Sequence, residues 1–266
     1  MGPTAPLRRA PRALRAALPA ALALALIRAP AALADAFTPE SGGSINADRI
    51  DSLYKVVLVV ALIALVAIQG TLVYTLVRFR ARRGALAAQT RGKRSLELSF
   101  SLGALVVVSV LAVITFAKAG GIEDPAASAG QPLRIDVNGQ QYLWRYTYPD
   151  GTFSYHEMVV PVDTTVLLDV RSADVAHSWW IPRLGGKVDA LPGYTNETWF
   201  RATEAGRVHE GQCAELCGRN HADMKASVRV VTQPQYEAWL AEQKSDIAEA
   251  NKLAGQEAAR RAEAAK

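Results

Sequence analysis

The chain has no internal repeat, no glycine-rich phosphate loop and no Cys-x-x-Cys-His run. Those absences exclude a solenoid, phosphate-loop nucleotide chemistry and a covalently attached haem of its own. Acid is missing from residues 1–34, which hold Arg8, Arg9, Arg12, Arg15 and Arg28. An apolar run from 18 to 27 follows, and Ala32-Leu-Ala34 precedes Asp35. Residues 1–34 therefore read as a cleaved secretory signal peptide, with a retained signal anchor as the alternative because of the late Arg28. Net charge is absent too once that segment is set aside. Five Arg leave with it, so 30 Lys+Arg against 25 Asp+Glu becomes 25 of each sign. The basic whole-chain balance is no sign of a nucleic-acid partner.

Long apolar runs are present. With 50% hydrophobic residues, 266 residues allow one soluble domain plus membrane segments. Residues 56–77 and 98–117 are each long enough to cross a hydrocarbon core of ~30 Å. Between them stand Arg78, Arg80, Arg82, Arg83, Arg91, Lys93 and Arg94, with no acid from 78 to 94. Such a loop belongs in the cytoplasm. The stretch 78–97 is then internal, while 35–55 and everything after the second helix face outward, across a prokaryotic plasma membrane to its periplasmic side. Glu97, at the start of the second span, is either a snorkelling helix-end residue or a functional carboxylate at membrane depth.

Residues 119–234 carry a strand pattern. Apolar and polar residues alternate over 133–137 and 226–231, and β-branched runs at 159–162 and 165–170 flank the turn former Asp163. Short strands punctuated by Gly, Pro and Asp predict an all-β sandwich, whose loops at one end are suited to hold ligands. Tyr142, Trp144, Tyr146 and Tyr148 alternate as one face of a strand would. Beyond 234 the composition turns to Ala, Glu, Lys, Gln and Arg. Residues 235–266 are expected to be a helix-prone, partly disordered tail, docked at its start by Tyr236, Trp239 and Leu240.

The two cysteines decide the chemistry. Cys213-x3-Cys217-x3-His221-x2-Met224 follows an upstream His177-Ser-Trp-Trp. Cys, His and Met form a ligand set that favours copper over Mg, Ca or Mn. Structural zinc sites rarely use a thioether. One thiolate more than a mononuclear blue-copper site needs lets two sulfurs bridge two copper ions, an arrangement for one-electron transfer. A plain disulfide and a mononuclear copper site are the alternatives. The disulfide loop would be small and would leave the spacing of His177, His221 and Met224 without a reason. His156 and His209 sit in no ligand pattern and are expected to be surface or hydrogen-bonded residues. Asp174, near His177, suits either a carboxylate that orients the imidazole or the cap of a turn.

At these residues the chain resembles subunit II of the haem-copper cytochrome c oxidases, and the likeness covers nearly all of it after the signal. Thr38-Pro-Glu-Ser-Gly-Gly and Ile50-Asp-Ser-Leu-Tyr54 resemble the family's outer N-terminal segment. Ser172-Ala-Asp-Val-Ala-His-Ser-Trp179 and the stretch from Leu184 to Gly193 resemble its cupredoxin signatures. The resemblance implies a two-helix hairpin followed by a cupredoxin-like domain. It implies a binuclear copper centre (CuA) held by Cys213, Cys217, His177, His221, Met224 and the carbonyl of Glu215. The Glu215 carboxylate would bind Mg or Mn shared with subunit I, and Glu97 would sit at the mouth of a proton path into that subunit. Here the family's Glu-x-x-Trp is Glu97-Leu-Ser-Phe100, and its later Pro is Ala104.

The implied function is to accept electrons from a c-type cytochrome and pass them to haem in subunit I. Oxygen would be reduced to water there, coupled to proton translocation. The family's electron-receiving Trp is Tyr142 in this chain, which makes Trp144 a second candidate. Over 119–234 the count is 14 Asp+Glu against 10 Lys+Arg, a modest acidic bias that suits a basic donor. A membrane-anchored copper-delivery cupredoxin is the rival reading.

Overall fold

The computed structural model describes residues 38–80, 92–125 and 131–265. The expected signal peptide and most of the basic loop lie outside them. Helix α1 spans Ile45–Arg78 and α2 spans Arg94–Glu123. Over 56–77 and 98–117 each is largely apolar all round and exposes bulky side chains, including Val66, Val77 and Phe116 at 70%, 74% and 81%. Water would not tolerate such surfaces, and both helices are long enough for a bilayer to cover them. The protein is therefore a membrane protein with an outer domain.

Helix α1 starts eleven residues ahead of the apolar run that begins at 56. At 34 residues it is roughly 51 Å long, well beyond the hydrocarbon thickness. Its first turns stand on the outer domain. Ser44 caps the helix by accepting from Ala47 N–H at 3.1 Å, while its own hydroxyl donates to the Leu184 carbonyl at 2.6 Å. Asn46 Nδ2 donates to Trp199 O at 2.9 Å, and Trp199 Nε1 donates to Ile122 O, also at 2.9 Å. One tryptophan thus ties the outer ends of both helices to the domain.

The domain is a sandwich of two five-stranded sheets. Its strands are β1 (Leu133–Gln140), β2 (Leu143–Thr147), β3 (Phe153–Tyr155), β4 (Glu157–Pro161), β5 (Val166–Ser172), β6 (His177–Trp180), β7 (Val188–Ala190), β8 (Asn196–Phe200), β9 (Arg207–Cys213) and β10 (Lys225–Val231). One sheet runs β3-β2-β1-β5-β8 and the other β4-β10-β9-β6-β7. The pairs β1–β5 and β4–β10 are parallel. Alternation works as the pleat requires: Ile135 and Val137 of β1, Trp144 and Tyr146 of β2, and Val228 and Val230 of β10 all point into the core. The strand pattern predicted a sandwich, and its cupredoxin-like form is what the family resemblance implies.

Two expectations need correction. Tyr142 does not share the aromatic face of β2, because it lies in the turn before the strand and is only half-buried. The C-terminal tail is not partly disordered: α3 runs unbroken over Gln233–Ala264. Thr232 and Gln235 close a capping box at its start, and Tyr236 and Trp239 pack on Tyr148, with Tyr148 and Trp239 ring centroids 5.1 Å apart. Lys244 then pairs with Asp150 at 2.8 Å. A nucleated helix rich in Ala, Glu, Lys and Gln propagates, since each added residue brings a hydrogen bond for one fixed backbone.

Candidate metal centre

Strand ends deliver the site. His177 is the first residue of β6 and Cys213 the last of β9, and these neighbouring strands align Trp179 with Cys213. The chain then loops through 214–224 before β10. Cys213 N–H donates to Met224 O at 2.9 Å, closing the loop at its neck, and Ala214 N–H donates to Ser178 O at 2.8 Å. A short 3-10 turn, His221–Asp223, sets His221 and Met224 on the inner side.

The donors converge. Cys213 Sγ lies 3.9 Å from Cys217 Sγ, 3.8 Å from His177 Nδ1 and 3.3 Å from the carbonyl oxygen of Glu215. Cys217 Sγ lies 3.6 Å from His221 Nδ1 and 3.9 Å from Met224 Sδ. Both thiols are free, and a separation of 3.9 Å is far beyond a disulfide bond. His177 and Met224 are wholly buried, His221 is half-buried, and the Glu215 side chain is exposed. Burial, with Cys213 alongside, pushes the Cys217 thiol up to about 11. A metal entering here must displace that proton.

Outer contacts orient the donors. Asp174 Oδ1 meets His177 Nε2 at 2.8 Å, which leaves Nδ1 toward the sulfur. Asp174 also caps its turn, accepting from Val175 N–H at 2.6 Å, so both readings of this residue hold. Burial alone would raise its carboxyl, but the N–H of Gln141 and the His177 ring outweigh that and hold it below the usual range.

No spacing marks Gln141 in the sequence. Its backbone N–H donates to Asp174 Oδ2 at 2.7 Å and its side-chain amide donates to Cys217 O at 2.6 Å. One residue therefore links the His177 loop to the thiol loop. Beside it, Tyr142 Oη accepts from Arg219 N–H at 3.1 Å.

Two glycines make the close approaches possible. A Cβ on Gly139 would stand 3.0 Å from Trp144 and 3.1 Å from the His177 ring. Gly218 has φ +134°, and a Cβ there would stand 2.6 Å from Tyr142 Oη.

The other candidates lie apart. Trp144 is fully buried, its ring edge-on to His177 at 5.9 Å between centroids, so it cannot itself meet a partner. Glu97 is exposed in the first turn of α2, roughly 39 Å along that helix from Glu123. His156 is exposed. His209 is buried rather than at the surface, away from the sulfur cluster and against the Gly43 segment.

The chain is similar to known proteins. The family model described as "Cytochrome C oxidase subunit II, periplasmic domain" matches residues 152–231, from before β3 to the end of β10. The chain is 32% identical over 205 residues to the cytochrome c oxidase subunit 2 of Alkalihalophilus pseudofirmus, covering 75% of this chain and 59% of that one. It thus spans less than two thirds of that relative's length. To the cytochrome c oxidase subunit 2 of Cereibacter sphaeroides it is 30% identical over 224 residues, covering 68% and 72%. The crystal structure of the periplasmic domain of subunit II of the Bradyrhizobium japonicum cytochrome oxidase is 36% identical, with a TM-score of 0.42, over 46% of this chain and 97% of that one. With 30% identity over 72% of the Cereibacter sphaeroides subunit, the chain belongs to the cytochrome c oxidase subunit II family.

Proposed function

We propose that this chain is the electron-receiving subunit of a cytochrome c oxidase, with Cys213, Cys217, His177, His221, Met224 and the Glu215 carbonyl holding two copper ions. One observation carries the reading. Two buried, unpaired thiols stand 3.9 Å apart, with two imidazoles, a thioether and a carbonyl gathered on them. That donor set is soft, matches copper and leaves no reason to invoke zinc. Bound there, a copper pair would supply one-electron storage.

The chain's own residues keep such a site rigid and dry. Asp174 fixes the His177 ring, Gln141 joins the two ligand loops, and the neck bond between Cys213 and Met224 ties the donors to strand ends. A c-type cytochrome would donate the electrons, and the acidic bias over 119–234 suits a basic donor. Tyr142, half-exposed over the thiol loop, is the aromatic a donor can touch, and Trp144 relays beside His177. The copper pair would pass electrons on to haem in subunit I, the subunit that would reduce O2.

The exposed Glu215 carboxylate offers Mg or Mn a hard oxygen ligand at the face toward subunit I. Glu97 serves a proton path at the opposite membrane face, the outer domain being on the periplasmic side of a plasma membrane. Copper analysis and electron paramagnetic resonance of the loaded full-length chain test the centre. Two coppers per chain and one unpaired electron shared by both are expected. One copper with a localised signal would overturn the assignment.

A further inference from the structure

At the outer ends of the membrane helices, a cleft of about 440 Å³ opens between the first turns of α1 and the last turns of α2. Arg49, Ser52, Lys118 and Gly121 line it. The Arg49 guanidinium donates to the Gly121 carbonyl and lies 5.9 Å from the Trp199 ring centroid. That leaves most of its five N–H donors free. Lys118 reaches only the Ser52 hydroxyl, at 3.5 Å. Among the described residues neither cation meets a carboxylate. Asp48, also in the lining, accepts from Gly42 N–H at 2.7 Å, and Asp51 is held by Lys55 at 2.5 Å.

A second groove, about 250 Å³ and lined by Val110, Val113 and Ile114 with Ser109, lies deeper on α2. Positions 110, 114, 117 and 121 recur every three or four residues, so this groove and the cleft share one face of the helix. From Lys118 down to 110–114 is roughly 6–12 Å along the axis. The two features together have the shape and chemistry of one amphiphile. Unpaired cations sit where hydrocarbon gives way to headgroups, and an apolar channel runs below them.

We propose that this face holds one membrane phospholipid, its phosphodiester on Arg49 and Lys118 and an acyl chain along Val110, Val113 and Ile114. A basic pocket between membrane helices is suited to a phosphate headgroup. A free phosphate ion would leave the lower groove unused. The inference does not depend on the copper reading.

The test uses the full-length chain, delipidated in detergent and titrated with dioleoylphosphatidylglycerol under native mass spectrometry. One retained lipid per chain is expected, while dioleoylglycerol, with the same acyl chains and no phosphate, and inorganic phosphate alone are not retained. Lys118→Gln should weaken retention about fivefold, the scale of one basic residue at a membrane surface, and Lys118→Arg should restore it. Ile114→Trp, which fills the groove and leaves both cations, should weaken it as well, whereas Lys55→Gln should not. Equal retention of dioleoylglycerol, or unchanged retention in Lys118→Gln with helix content intact, would overturn the proposal. So would absence of the lipid from the assembled oxidase, since a partner subunit would then occupy the cleft.

Discussion

Single side chains set the character of the sulfur site. Cys217 touches three other donors, Cys213, His221 and Met224, at 3.6–3.9 Å. In the proposed centre, replacing it by Ser would take away one of the two sulfur donors, and a hydroxyl does not substitute for a thiolate at copper. Cys217→Ser is expected to abolish the shared-electron resonance and leave at most one copper per chain, measured by metal analysis and resonance on the same sample. Tyr142 and Trp144 differ more than their spacing suggests. Tyr142→Phe loses one hydrogen bond, to the exposed Arg219 N–H, worth about 1 kcal/mol. Donor oxidation should stay within a few-fold of normal. Trp144→Ala empties a fully buried site against His177 and should cost roughly 3–5 kcal/mol of domain stability, slowing transfer further. Stopped-flow rates at one ionic strength separate the two. A hundred-fold loss in Tyr142→Phe with copper intact would make the hydroxyl itself essential.

Among the elements, the helices carry the clearest consequences. The capping box at Thr232 starts α3, so Thr232→Ala should destabilise the docked helix by about 1 kcal/mol, read as a lower unfolding midpoint. An unchanged midpoint would mean that the Tyr236 and Trp239 contacts alone hold α3. Orientation across the membrane follows from the basic loop. In Ala85→Cys, an impermeant thiol reagent should label position 85 only after lysis. Labelling of intact cells would reverse the topology. Helix composition made the existence of α1, α2 and α3 legible. The continuity of α3 was not legible, because docking on Tyr148 and the Lys244–Asp150 pair come from distant parts of the chain.

At the scale of the whole molecule, acid sensitivity is expected at His209. Burial first, with Arg183 and Arg207 adding, lowers its pKa below the ordinary 6.5. The unfolded chain therefore binds that proton more readily than the native one. Stability is full above about pH 6.5 and falls as the pH drops below the unfolded value toward the native pKa. Denaturant unfolding of the full chain between pH 7.5 and 5.5 should show this slope, and His209→Gln, neutral throughout, should flatten it. An equal slope in the variant would place the acid sensitivity elsewhere.

The candidate donor types, the two apolar spans, the charge of their connection and the alternating strands were determined by local sequence, because residue chemistry, run length and pleat period are properties of neighbouring positions. Only the tertiary structure decided that His177, 36 residues before Cys213, faces its sulfur at 3.8 Å. It alone showed Gln141 joining both ligand loops, Trp144 buried, and Trp199 fastening the membrane helices to the sandwich. Those relations depend on which strands pair and how two sheets close on each other, and no local pattern encodes contacts between such distant segments.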